Sequence, residues 1–162
     1  MAKLFDILLL GDERLYQRSE VVQEHEIPAI HSYIDILSDL VLAFRAKYGK
    51  GRAIAAPQIG VFKRIIVMNI DRPIAIINPE LEFPDEEIIT LWDDCMSFPH
   101  LLVKVNRYRR CKLRYKDLTW MDQHWDLQDD LSELIQHEYD HLEGILATQR
   151  AIDNKSFQFI NV

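Results

Sequence analysis

The residues best suited to chemistry lie in Gln136-His137-Glu138-Tyr139-Asp140-His141, where two imidazoles four positions apart flank a carboxylate. On a helix, side chains at i and i+4 differ by about 40° around the axis, so His137 and His141 can grip one metal ion. Glu138 lies about 100° from His137, and its flexible side chain reaches a water beside such an ion rather than the ion itself. This spacing makes His137 and His141 candidate ligands and Glu138 the candidate general base of a metal-dependent hydrolase. Asp140 points elsewhere, which suits a structural role as an ion pair or hydrogen bond that holds the helix.

The third protein ligand decides the subclass. Leu142-Glu143-Gly144-Ile145-Leu146-Ala147 continues with metzincin spacing, but Ala147 stands where that class has its last histidine. A glutamate on a later helix is excluded too, because Glu143, beside the motif, is the sole glutamate after His141. The missing donor therefore lies upstream. Cys95, Cys111, His100 and His124 have suitable chemistry, and one Cys with two His leaves an open catalytic position on a four-coordinate ion.

Periodicity supplies the elements that must position these groups. From 28 to 48, Ile30, Tyr33, Ile34, Leu37, Leu40, Val41 and Phe44 recur at three and four, one stripe of a helix ending near Gly49. Runs 63–70, 74–78, 87–91, 101–105 and 108–115 are short and β-branched, which predicts strands, and turn residues at 71–73 and 84–85 favour an antiparallel arrangement. Asp130-Leu131-Ser132-Glu133 has the form of an N-terminal cap, and Leu131, Leu134, Ile135, Leu142, Ile145 and Leu146 extend an apolar stripe over a helix from 130 to 148. The expected class is α+β, with antiparallel sheets packed around a C-terminal metal-binding helix and an N-terminal helix. His100 and His124 fall in expected turns, His25 and His31 in the first helix or its cap, and Trp92 lies near enough to Cys95 to shape a pocket wall.

Composition fits an enzyme of one domain, 1–162, long enough to bury roughly two thirds of its unfolded surface. No stretch is expected to cross a membrane, and residues 1–6 do not resemble a signal peptide, which places the chain in the cytoplasm. In that reducing compartment Cys95 and Cys111 are not expected to pair. A net charge of −7 argues against DNA binding. The local exception is the strand face of Arg110, Lys112, Arg114 and Lys116, best read as a solvated face rather than an RNA or ribosome contact.

Cys95 sits in Leu91-Trp92-Asp93-Asp94-Cys95-Met96-Ser97-Phe98-Pro99, and a further segment reads Gly51-Arg52-Ala53-Ile54-Ala55-Ala56-Pro57-Gln58-Ile59-Gly60. In this order before the histidine motif, they resemble the peptide deformylase motifs G-x-G-φ-A-A-x-Q, E-G-C-φ-S and H-E-x-D-H. The opening Ile7-Leu8-Leu9-Leu10-Gly11-Asp12-Glu13-Arg14-Leu15 is similar to the same family's N-terminus. The resemblance runs over nearly the whole chain and implies a peptide-deformylase-like fold. It selects Cys95 as the third ligand beside His137 and His141, and it assigns oxyanion donation to the Gln58 side-chain amide and the Met96 backbone N–H, with Glu138 moving the proton. Ala53, Ile54, Asp94 and Leu134 are the implied substrate-binding residues. The implied cofactor is one divalent metal ion, Fe2+ expected, with Zn2+, Ni2+ or Co2+ able to occupy the same ligands. The implied partners are N-formylated nascent peptides, from which formate is released, and the ribosome through transient association.

Departures from the family pattern touch the same region. Ala53 replaces the second glycine, Asp93-Asp94 replaces Glu-Gly, Leu102 stands where many members carry an arginine, with Lys104 the nearest cation, and 128–133 is unusually acidic. They motivate two alternatives: a hydrolase acting on another formyl or small acyl amide, and a binding module that retains the fold without the chemistry.

Overall fold

Ile65-Ile66-Val67-Met68 has no polar residue at alternate positions, as expected of a strand covered on both faces. In the computed structural model, which describes residues 3–160, that strand lies between two helices. The order is α1 (Ile27–Tyr48), β1 (Ala53–Ala55), β2 (Ile65–Asn69), β3 (Pro73–Glu82), β4 (Ile88–Cys95), β5 (Phe98–Tyr108), β6 (Arg110–Lys116), β7 (Asp122–Gln128), α2 (Asp129–Leu142) and β8 (Phe157–Phe159). One sheet runs β1-β2-β3-β6-β7, the other β4-β5-β8, and every pairing between named strands is antiparallel. The α+β expectation holds.

Strand pleating divides the core. Ile54, Ile65, Val67 and Ile77 pack in the cluster with the α1 stripe Ile30, Ile34, Leu37, Leu40, Val41 and Phe44. Ala53, Ala55, Ile66, Met68 and Ile76 belong to a second cluster with Leu134, Ile135 and Leu142 of α2. The second sheet contributes Cys95, Phe98, Val103 and Val105 to a third. Gly49 ends α1 in a left-handed conformation and closes its last turn. Contrary to the sequence expectation, Glu24–Tyr48 is long and apolar enough to span a bilayer, although its buried stripe lies against the sheet.

Several boundaries differ from those expected. β3, β4 and β5 are longer, β1 and β8 are only three residues long, and β7 carries too few apolar residues to stand out. His100 and His124 lie on β5 and β7 rather than in turns. α2 stops at Leu142 instead of Thr148, because Gly144 adopts φ +72° against Tyr16, where an added Cβ would sit 2.3 Å from the Tyr16 carbonyl oxygen. The Asp130 cap does not form: Gln128 is the N-cap, without a side-chain cap bond, and Glu133 pairs with Arg52 at 2.7 Å. The β6 cations are matched by neighbouring acids, Arg110 by Asp85 and Glu87, Arg114 by Glu80 and Lys116 by Asp122.

Candidate metal centre

Two elements aim the donors. On α2, His137 and His141 share the face turned toward the end of β4, their rings 5.0 Å apart by centroid. On β4, a register irregularity between Asp93 and Cys95 leaves both side chains buried, and Cys95 Sγ lies 3.3 Å from His141 Nε2. One donor atom from each of Cys95, His137 and His141 lies within 4.8 Å of the others. An ion about 2.0–2.3 Å from sulfur and nitrogen ligands requires donors at that mutual spacing, so this set fits a three-ligand metal site. Cys111 lies outside this donor group, in the core cluster between β6 and α2.

The site opens on a cleft of about 290 Å³ lined by Ala53, Asp94, Cys95, Leu134, His137 and Glu138, among others. Ala53, Asp94 and Leu134 thus lie where substrate-binding residues were expected. Ile54 does not: its side chain is on the opposite face of β1, under α1. Trp92 is likewise absent from the lining and lies outward on β4, with Lys104 Nζ 6.0 Å from its ring centroid.

Asp93 does more than crowd the motif. Its Oδ2 lies 2.9 Å from His137 Nδ1 and accepts from Arg107 Nη2 at 3.0 Å, while Arg107 Nη1 donates to Asp140 at 2.6 Å. Arg150 closes the chain on the other side of Asp140. Burial would push Asp93 up, but His137 and Arg107 outweigh it and hold the carboxyl at about 2. An ionised Asp93 fixes the His137 ring so that its other nitrogen is the one available to a metal. Burial opposes a charge on His137, yet Asp93 and Cys95 overcome it and raise its pKa; His141, buried beside His137, is lowered.

Glu138 is fully enclosed next to that centre. Burial, followed by the charges of Asp93, Asp94 and Glu133 against the opposing pull of His137, lifts it to about 7. Its Oε2 has no hydrogen-bond partner among the described residues. Gln58, in the short 3-10 turn Ala56–Ile59, has two jobs. Its Oε1 accepts from the Ala55 N–H at 3.0 Å, which turns its Nε2 toward Ser97 Oγ at 3.1 Å and Cys95 Sγ at 3.7 Å. Met96 follows Cys95 in the turn between β4 and β5, and it too lines the cleft.

The sequence profile of the family described as polypeptide deformylase matches residues 4–157. Peptide deformylase 2 of Ralstonia nicotianae is 34% identical over 96% of this chain and 92% of its own length. The chain belongs to the polypeptide deformylase family. Peptide deformylase 1 of Rickettsia conorii is also 34% identical, covering 88% of this chain and 85% of its own. Solved deformylases agree in fold. That of Thermotoga maritima superposes with a TM-score of 0.82 at 29% identity over 91% of this chain and 97% of its own. That of Synechococcus elongatus, solved in complex with actinonin, gives 0.86 at 28% identity over 96% and 84%.

Within this deformylase fold the motif departures fall on the cleft. Asp94 replaces a glycine at its mouth, Ala53 adds a methyl to the β1 wall, and the acidic segment contributes Glu133, whose carboxyl burial raises despite Arg52. Leu102 is half-buried on β5 opposite Gln158 of β8. Arg107 and Ser97 were not singled out from sequence. Arg107 could have been found, because period two places it on the same face as Val103 and Val105, and an arginine ending an apolar face needs a buried acid.

Proposed function

We propose that this member of the deformylase family hydrolyses the N-terminal formyl group of N-formylmethionyl peptides and releases formate. The convergence of Cys95, His137 and His141 beside the enclosed Glu138, at the base of an open cleft, carries the reading. A single divalent ion held by these three residues, Fe2+ in the proposed native state, would supply Lewis acidity to a water and to the formyl carbonyl. Zn2+, Ni2+ and Co2+ suit the same sulfur and imidazole donors.

The residues divide the remaining work. Glu138, poised near neutrality, accepts the proton of the attacking water and returns it to the departing amine as the formyl C–N bond breaks. Gln58 Nε2 and the Met96 N–H are the proposed donors to the oxyanion that develops on the formyl oxygen. Asp93 and Arg107 keep His137 oriented throughout. Peptide fits the cleft because β1 is an edge strand: Asn69 N–H donates to the Arg52 carbonyl, so alternation turns the Ala53 amide outward, where an extended chain can pair. Ala53, Asp94 and Leu134 are the proposed substrate contacts.

Nascent chains as substrate suit a cytoplasmic enzyme that associates transiently with the ribosome, although several β6 cations are paired within the protein. The test is formate release from formyl-Met-Ala-Ser by anaerobically purified protein, with metal content measured on the same sample. Turnover well above background, dependent on the ion, is expected. Background turnover with stoichiometric metal would reject the activity and favour another small acyl amide.

A further inference from the structure

Three cations line the cleft, and two of them are committed. Arg45 donates to the carbonyls of Gly51 and Asn69, and Arg52 is held by Glu133 at 2.7 Å with Asp130 at 3.7 Å. Lys50 is different. Its Nζ is shielded from solvent and has no hydrogen-bond partner among the described residues; the nearest carboxylate, Asp94 Oδ2, stays 3.9 Å away. A buried ammonium without an acceptor costs free energy, and in a binding cleft the natural acceptor is an oxygen brought by the ligand.

The backbone keeps this ammonium in the wall. Lys50 is carried between Gly49 and Gly51, both at positive φ, and an added Cβ at Gly51 would sit 3.1 Å from both Met96 Cε and a Phe44 ring carbon. The loop is thus pressed against Met96, next in sequence to the ligand Cys95. Asp94, half-exposed at the cleft mouth, holds the ammonium by charge without saturating its donors.

We propose that Lys50 is a specificity-determining residue of this site, donating to an oxygen of the peptide beyond the formylated residue. Resting on the deformylase reading, this inference names which part of the substrate is recognised and by what. The shared chemistry is an oxygen acceptor, either a backbone carbonyl or the C-terminal carboxylate of a short peptide.

Lys50→Met, Lys50→Arg and the parent protein, all metal-loaded, should be compared on formyl-Met-Ala-Ser and on its C-terminal amide. For Lys50→Met a KM about tenfold higher is expected, with kcat changed far less and metal content equal, and Lys50→Arg should restore most of the loss. A penalty on the acid alone identifies the carboxylate as acceptor, and an equal penalty on acid and amide identifies a carbonyl. An unchanged KM on both peptides, or a loss confined to kcat, overturns the proposal. Calorimetric binding of formyl-Met-Ala-Ser to Glu138→Gln, with and without Lys50→Met, separates this inference from the activity itself. Weaker binding in the double variant supports Lys50 even if the parent releases no formate, and equal binding refutes it.

Discussion

Two sets of arginine–carboxylate pairs, made of the same chemical groups, behave differently in this molecule. Beside the metal ligands, Arg107 is only 3% exposed and joins Asp93 to Asp140 at 3.0 and 2.6 Å. On the outer face of β6, Arg114 meets Glu80 at 3.1 Å, with side chains 72% and 70% exposed. Contact distance hardly distinguishes them. What separates them is water: a charge removed from it must be matched by its neighbours, whereas hydration and side-chain entropy offset an exposed attraction. Loss within the interior set therefore leaves a charge stranded away from water, and the outer set tolerates loss.

Breaking the interior at its centre should have the largest effect. His141→Ala is expected to lose bound metal and formate release together, read by elemental analysis and turnover; stoichiometric ion in that variant would contradict the ligand assignment. Next comes Glu138→Gln, which should retain metal while turnover falls about 10²–10⁴-fold, and a rate close to the parent's would remove Glu138 from proton transfer. Arg107→Met leaves the buried Asp93 without its arginine and Asp140 with Arg150 alone, so unfolding free energy should drop by about 3–5 kcal/mol in a denaturant titration. Metal affinity should weaken about 10–100-fold as His137 loosens. Arg114→Ala supplies the contrast: its expected cost is below about 1 kcal/mol and should shrink further in salt. If Arg107→Met and Arg114→Ala cost the same, burial is not what divides the two sets.

The same division explains what sequence could reveal. The histidine pair, the α1 stripe and the unbroken apolar run of β2 are legible because periodicity expresses burial directly. Gln58 and Cys95 are legible through motif context, although neither would stand out alone. Arg107 reads as one more member of a basic run until its alternation with Val103 and Val105 is noticed. β7, in Asp122-Gln123-His124-Trp125-Asp126-Leu127-Gln128, hides because an edge strand needs few apolar side chains, here Trp125 and Leu127. The overlong α2 shows the reverse error: Ile145 and Leu146 prolong the stripe, while Gly144, a stop residue in plain view, ends the helix. The Ile54 side chain lies under α1 although its motif neighbours line the cleft, because a motif specifies neighbours in sequence but not the face of a strand.

The close approach of Gly144 to Tyr16 ties together segments more than a hundred residues apart in sequence. The Ser19 N–H donates to the Leu142 carbonyl, and Arg64 donates to the carbonyls of Ser19 and Leu142, so the last turn of the histidine helix rests on a cradle that precedes it far upstream in sequence. Such a long-range closure is slow to form, because the intervening chain must be ordered before it is rewarded. During translation, His137 and His141 would therefore gain their final alignment only after the intervening strands β1 to β7 had emerged, so the metal site is among the last parts of the molecule to form.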